Sequence, residues 1–224
     1  MGKKSRETFV IGDVHGCYYT LMNLVDKLPK KSNLIFVGDL CDKGKYSKDV
    51  IEFVIQNNHL CVKGNHEYLM QIYIKKAILQ NDMSSKWVSR RGWGGKQTIE
   101  NYRDDLHLLD KHLEWVESLP LYLEIDNFFI THGFGLPYYK RKHLKYSHSL
   151  FVNRIYDTTF VKDWEDFKTY EVINIFGHCN FCEVLRGKNY VCIDTGCCYG
   201  NKLTAVNLET LDTVEQETDK RDIS

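Results

Sequence analysis

Short apolar runs and longer amphipathic stretches alternate through the first third of the chain. Residues 8–11, 33–37 and 59–63 are runs of strand length, each followed by a Gly-containing polar loop and then a stretch of helical spacing, at 18–27, 47–56 and 67–80. In the second of these stretches Val50, Ile51, Val54 and Ile55 recur along one helix face. A β-loop-α unit repeated in this way predicts an α/β fold with buried strands. Residues 83–105 break the rhythm with SSKWVSRRGWGGKQTIENY, a Trp-, Arg- and Gly-rich stretch that reads as a lid-like or short helical excursion. A helix is expected again at 107–118. Strands dominate after Pro120: 121–125 and 128–131 form a hairpin across Asp126 and Asn127, and 172–176, 190–194, 203–207 and 213–217 follow.

No internal repeat and no linker rich in Pro, Gly or Ser interrupts the chain, so residues 1–224 are read as a single domain with a polar, frayed tail at 218–224. Hydrophobic residues at 43% and charged residues at 27% describe a soluble globular protein, and no run approaches the roughly 18 apolar residues that a membrane span needs. The first residues lack the apolar core of a signal peptide, which makes the cytoplasm the expected location. Lys plus Arg equals Asp plus Glu at 30 each, so no global field gathers nucleic acid or anionic lipid, and an anionic substrate must be gripped locally. The eight cysteines are expected as reduced thiols; Cys179 and Cys182 form a C-x-x-C, but the adjacent Cys197 and Cys198 lack the spacing of a second ligand pair.

Five loops that follow apolar runs carry Asp, His or Asn. They hold Asp13 and His15 in GDVHG, Asp39 and Asp42 in GDLCDKG, Asn65 and His66 in KGNHE, His132 in THG, and His178 in FGHC. In an open α/β sheet the ligand crevice lies beyond the carboxyl ends of the strands, so these side chains are expected to converge there. Carboxylates, imidazoles and one amide oxygen suit Mn, Fe or Zn better than a thiolate site would. Singly, each Asp reads as a helix cap and each His as a hydrogen-bonded residue; together, each after an apolar strand, they point to a metal centre.

On these loops the chain resembles the metallophosphoesterase superfamily, in its phosphoprotein phosphatase branch. The nearest likeness is to the small bacterial and lambda-phosphatase-like serine/threonine phosphatases and to symmetrical diadenosine tetraphosphate hydrolases. The likeness runs from about residue 9 to 206 and includes IDTGCCYGNKLTA and the pattern of Trp93, Gly94, Gly95, Thr98 and Tyr102. It implies a four-layer α-β-β-α sandwich of two mixed sheets and a site for two divalent metal ions, expected as Mn2+, with Fe, Zn or Ni as alternatives. The implied ligands are Asp13 and His15 on one ion, Asp39 between the two, and Asn65, His132 and His178 on the other. The resemblance further implies a hydroxide between the ions as nucleophile, His66 as general acid oriented by Asp42, and Arg154 and Lys43 as phosphate-gripping cations. Lys43 stands where the family usually has Arg, keeping the charge without the planar fork of a guanidinium.

The expected activity is therefore phosphoester hydrolysis on a phosphorylated protein or peptide, with a dinucleoside polyphosphate such as diadenosine tetraphosphate as the alternative substrate. Neither nucleic acid nor a membrane is expected as a partner. A catalytically dead binding module predicts missing ligands, whereas all the expected ones are present. The basic run Lys140, Arg141, Lys142 and Lys145 is either a steering patch or a solvated loop. Trp87 and Trp93 either stack on a base or anchor the excursion, the second being the more usual role. Cys17, Cys41, Cys179 and Cys197 flank the site loops, where nearby cations would make a thiol oxidisable; the plainer reading is small buried hydrophobes.

Overall fold

The computed structural model describes residues 6–143, 148–156 and 166–223. Strands β1 (Thr8–Ile11), β2 (Asn33–Phe36) and β3 (Leu60–Cys61) run parallel, with Val10 opposite Ile35 and Phe36 opposite Cys61. Between and after them come α1 (Tyr18–Lys27), α2 (Ser47–Gln56) and α3 (Asn65–Leu79), then the short α4 (Lys86–Ser89) and α5 (Gly95–Tyr102), and α6 (Leu106–Ser118). The hairpin of β4 (Tyr122–Ile125) and β5 (Phe128–Thr131) opens the second half, followed by α7 (Ser149–Val152), β6 (Ile173–Phe176), β7 (Leu185–Arg186), β8 (Tyr190–Cys192), β9 (Lys202–Asn207) and β10 (Thr213–Glu217).

Two mixed five-stranded sheets result, ordered β10-β9-β1-β2-β3 and β4-β5-β6-β8-β7. Strand periodicity explains how they stack. In β1, Phe9 and Ile11 point into a core shared with the helices, while Val10 points the other way against the second sheet. In β2, Leu34 and Phe36 join the helix-side core and Ile35 joins the inter-sheet core. From the facing sheet Ile130, Ile175 and Val191 complete that inner layer. The outer face of the second sheet is covered by Phe134, Leu136 and Tyr170 packed on Phe176 and Cys192, with a 3-10 turn at Leu136–Arg141. Among the described residues no helix is long and apolar enough to cross a membrane.

Three local features differ from the expectations. Helix α3 starts at Asn65, two residues early, because the Glu67 carboxylate accepts from the Gly64 N–H at 2.9 Å and closes the first turn. The 83–105 excursion resolves into α4 and α5, with Trp87, Ile99 and Tyr102 buried in the helix-side core. The tail expected to fray instead folds back: Asp222 is fully buried and accepts from the Tyr19 and Thr20 N–H groups at 3.0 and 2.8 Å and from Thr20 Oγ1 at 2.6 Å, capping α1.

Candidate active site

The loops leaving β1, β2 and β3 in one sheet and β5, β6 and β8 in the other meet at one end of the sandwich, where they bring Asp13, Asp39, Asn65, His132, His178 and Asp194 together. Except for His132, which lies buried beneath them, these residues line a cleft of about 720 Å3. The backbone there is unusual. Ten described non-Gly residues have positive φ, and five of them, His15, Asp39, Asp42, Lys43 and His178, are residues singled out from the sequence. Such concentration of left-handed backbone is typical of sites held in place by the surrounding fold.

Asp39 is the hub. Its Oδ2 lies 3.4 Å from His15 Nε2, and its Oδ1 lies 3.3 Å from His132 Nε2. Two groups of potential ligand atoms, His15–Asp39–His66 and Asp39–His132–His178, each fit within 4.8 Å, and Asp39 belongs to both. The imidazoles are oriented by backbone carbonyls: His15 Nδ1 lies 2.8 Å from Cys41 O and His132 Nδ1 2.8 Å from Val37 O. A proton on each Nδ1 satisfies those carbonyls and leaves each Nε2 lone pair aimed inward. Asn65 Oδ1 sits 3.0 Å from His132 Nε2, and the Asp13 carboxylate accepts from the His178 N–H at 3.1 Å. This mixed imidazole, carboxylate and amide-oxygen set, with one carboxylate common to two clusters, fits a pair of divalent cations.

Burial dominates the electrostatics. It pushes the Asp13 carboxyl well up, helped by Asp194, and pushes His15 down, helped by the Lys43 ammonium. His178 is driven down to about 3 by burial and by His132. Burial opposes the charge of Asp39 as well, but His132 and His66 outweigh it and hold that carboxylate low. For His132, burial is overcome by Asp39 and Asp13, which lift it to about 10.

His66 and Asp42 form the expected pair, with Nδ1 to Oδ2 at 2.6 Å. Asp42 is fully buried, and its carboxylate also accepts from Trp87 Nε1 at 2.6 Å and from Thr98 Oγ1. Lys43 Nζ lies 2.7 Å from His15 Nε2, and Arg154 Nε donates to His178 Nε2 at 3.2 Å, so both cations face the cleft. Burial works against the Lys43 charge, yet Cys198, Asp39, Tyr199 and Asp194 outweigh it and raise its pKa.

Several residues that shape the site were not singled out from the sequence. Glu67, fully buried, accepts from the Asp39 and Leu40 N–H groups at 2.7 Å each, Gly64 N–H at 2.9 Å and Cys41 N–H at 3.4 Å, tying the β2 loop to the β3 loop. Thr98, named only as part of a motif, and Trp87, weighed only as a stacking or anchoring ring, turn out to hold Asp42, and Asp194, from the IDTG stretch, lies with Asp13 and Lys43 in the cleft lining. Trp87 is buried and not available to stack on a base, whereas Trp93 lines the cleft. Cys17, Cys41, Cys179 and Cys197 are all buried, in line with the plainer reading of small buried hydrophobes. Burial pushes Cys41 up and Cys179 up to about 12, and a hydrogen bond to Cys197 together with burial pushes Cys17 up. Cys179 is buried and Cys182 exposed, and no described cysteine joins a metal-binding group. Lys140 and Lys142 lie over the rings of Tyr170 and Tyr139, and Arg141 over Tyr138, away from the cleft; Lys145 lies outside the described residues.

Comparison with known proteins places this geometry in context. The family model described as calcineurin-like phosphoesterase matches residues 8–181. The asymmetrical bis(5'-nucleosyl)-tetraphosphatase PrpE of Anoxybacillus flavithermus is 27% identical over 92% of this chain and 91% of its own length. A crystal structure described as a putative diadenosine tetraphosphatase superposes with a TM-score of 0.71 at 18% identity, covering 98% of this chain and 96% of that one. A serine/threonine phosphatase from Saccharomyces cerevisiae superposes with a TM-score of 0.59 at 17% identity, covering 96% of this chain and 80% of that one, a likeness of fold.

Proposed function

Since the chain belongs to the calcineurin-like phosphoesterase family, we propose that it hydrolyses a phosphoanhydride bond of a dinucleoside polyphosphate at a pair of divalent metal ions. The observation that carries the metal reading is the sharing of Asp39 between two ligand clusters. His15 would hold one ion with Asp13, which lies outside both clusters, while His66 of the first cluster is assigned to proton transfer; Asn65, His132 and His178 would complete the other site, with Mn2+ as the expected ion. When bound, such ions supply Lewis acidity and make water a competent nucleophile near neutral pH. The substrate reading rests on the relative that matches at nearly full length and carries a tetraphosphatase name. It reverses the order suggested by the sequence, where a phosphoprotein came first; the likeness to the yeast protein phosphatase is one of fold and does not favour either substrate.

In hydrolysis the oxygen of water bonds to phosphorus, and the bridging oxygen departs with the rest of the polyphosphate. His66, its ring held by Asp42, would give that oxygen a proton. Arg154 and Lys43 face the same cleft as cations for the non-bridging oxygens. A fixed Asp42 matters because a rotating imidazole would present its proton only part of the time.

The test is a substrate panel on metal-stripped protein reloaded with Mn2+, Ni2+, Zn2+ or Mg2+. Diadenosine tetraphosphate, phosphoserine and phosphothreonine peptides and p-nitrophenyl phosphate would be compared by kcat/KM. Nucleotide products under turnover, with the tetraphosphate preferred, are expected, and their identity separates cleavage into two diphosphates from cleavage into a mono- and a triphosphate. A clear preference for the phosphopeptides would reinstate the protein phosphatase, and no turnover with any metal would remove the enzyme reading.

A further inference from the structure

Beside the main cleft opens a second, of about 400 Å3, which shares Lys43, Arg90, Gly92 and Tyr199 with it. Its charge is one-sided. Lys43, Arg90, Arg91 and Lys96 line it and no described carboxylate does, in a chain whose charges otherwise balance at 30 and 30. Arg90, Arg91 and Lys96 make no ion pair with any described carboxylate. Surface cations are usually interspersed with acids, so four together without one produce a local positive field that suits a multiply charged anion.

The position of this side cleft is as informative as its charge. The His66 ring lies 6.4 Å from the Trp93 ring, and the Arg90 guanidinium lies 5.7 Å from that same ring. The cationic cleft therefore opens next to His66, the residue proposed above to protonate the departing oxygen. Gly94 locks it there: at φ +83 its backbone approaches the neighbouring loop so closely that a Cβ would lie 2.0 Å from Lys43 N. A phosphomonoester, whose single phosphate is taken up at the ligand set, leaves this side cleft unmatched.

We propose that the side cleft is a leaving-group subsite, in which Arg90, Arg91 and Lys96 receive the phosphates beyond the scissile one. This rests on the hydrolase reading above and adds to it the residues that select a polyphosphate over a phosphomonoester. Arg91 and Lys96 are exposed and lie outside the ligand set, so their removal should leave folding and the chemistry of a small substrate intact.

The experiment compares Mn2+-loaded full-length wild type with the double variant Arg91→Gln, Lys96→Gln, using diadenosine tetraphosphate, p-nitrophenyl phosphate and inorganic tripolyphosphate as inhibitor. Loss of two charge-assisted contacts predicts a fall of roughly tenfold to a hundredfold in kcat/KM for the tetraphosphate and a similar rise in the tripolyphosphate inhibition constant. Turnover of p-nitrophenyl phosphate should stay within about twofold, the range expected for surface residues remote from the reacting atoms. Unchanged tetraphosphate kinetics and unchanged tripolyphosphate inhibition, with aryl phosphate still hydrolysed, would overturn the subsite while leaving the hydrolase standing. Equal losses on both substrates would also overturn it, by showing a general role. Failure of wild type on every substrate would instead remove the underlying reading.

Discussion

Replacing Glu67 with Gln tests how the site is built. In Glu67 each carboxylate oxygen serves two backbone donors: Oε2 accepts from Asp39 and Gly64 N–H at 2.7 and 2.9 Å, and Oε1 from Leu40 and Cys41 N–H at 2.7 and 3.4 Å. A Gln at this fully buried position turns one oxygen into an NH2 that faces two donors, and flipping the amide only exchanges which pair is lost. The best placement sets the NH2 against Leu40 and Cys41, since the Cys41 bond is the longest. Two buried N–H groups are then unsatisfied at about 1–3 kcal/mol each, and the remaining pair drops from charge-assisted to neutral strength. The expected loss is about 3–5 kcal/mol, large against a domain stability of roughly 5–15 kcal/mol. Because Asp39 and Asn65 stand on the two loops that Glu67 joins, Mn2+ affinity should fall as well. Urea unfolding of metal-free protein and Mn2+ titration at a temperature where both proteins are folded provide the readouts. A variant within about 1 kcal/mol of wild type in the first assay, and equal to it in the second, would refute the claim that Glu67 positions the ligand loops.

Three further outcomes follow from the geometry. His66→Asn should keep its metal and slow an alkyl phosphate by about 100-fold or more, the usual range for a general acid, but slow a tetraphosphate less, because a phosphate leaving group needs less protonation; equal slowing of the two would count against the general-acid role. Trp87→Phe removes the indole N–H from Asp42 Oδ2 and should reduce kcat with little change in KM, at about 1–3 kcal/mol of stability; unchanged kcat would show that Thr98 alone suffices to hold Asp42. Asp222→Ala removes three bonds to the start of α1 and should lower stability by about 1–3 kcal/mol in urea unfolding while kcat and KM hold steady. No loss of stability there would mean that the tail is not held in solution.

The parallel strands were legible because the runs at 9–11 and 34–37 are buried on both faces and apolar throughout. The ligand loops were legible because each follows such a strand. What escaped was long-range. Glu67 reaches back 28 positions to Asp39 N–H, and Trp87 and Thr98 reach Asp42 across 45 and 56 positions, separations at which local pattern carries no signal. The two-residue strand β7 is too short to show an alternation. The tail looked frayed because it is polar, and Asp222 acquires its role only once α1 presents unpaired N–H groups to it. For the cysteines, proximity to the site loops suggested cations beside the thiols, but burial pushes Cys41 and Cys179 up, and at Cys41 the carboxylates of Asp42, Glu67 and Asp39 push the same way.

Asp39 is where the two ligand clusters meet, so metal stoichiometry in its variant is the most direct measurement. Metal-stripped wild type and Asp39→Asn would be titrated with Mn2+ by calorimetry while turnover of diadenosine tetraphosphate is followed at each ratio. Two ions per wild-type chain are predicted, with turnover appearing only in the loaded protein, and the variant should bind weakly and lose activity. A variant that takes up two ions and turns over like wild type, or a stripped wild type that needs none, would contradict the shared-carboxylate centre.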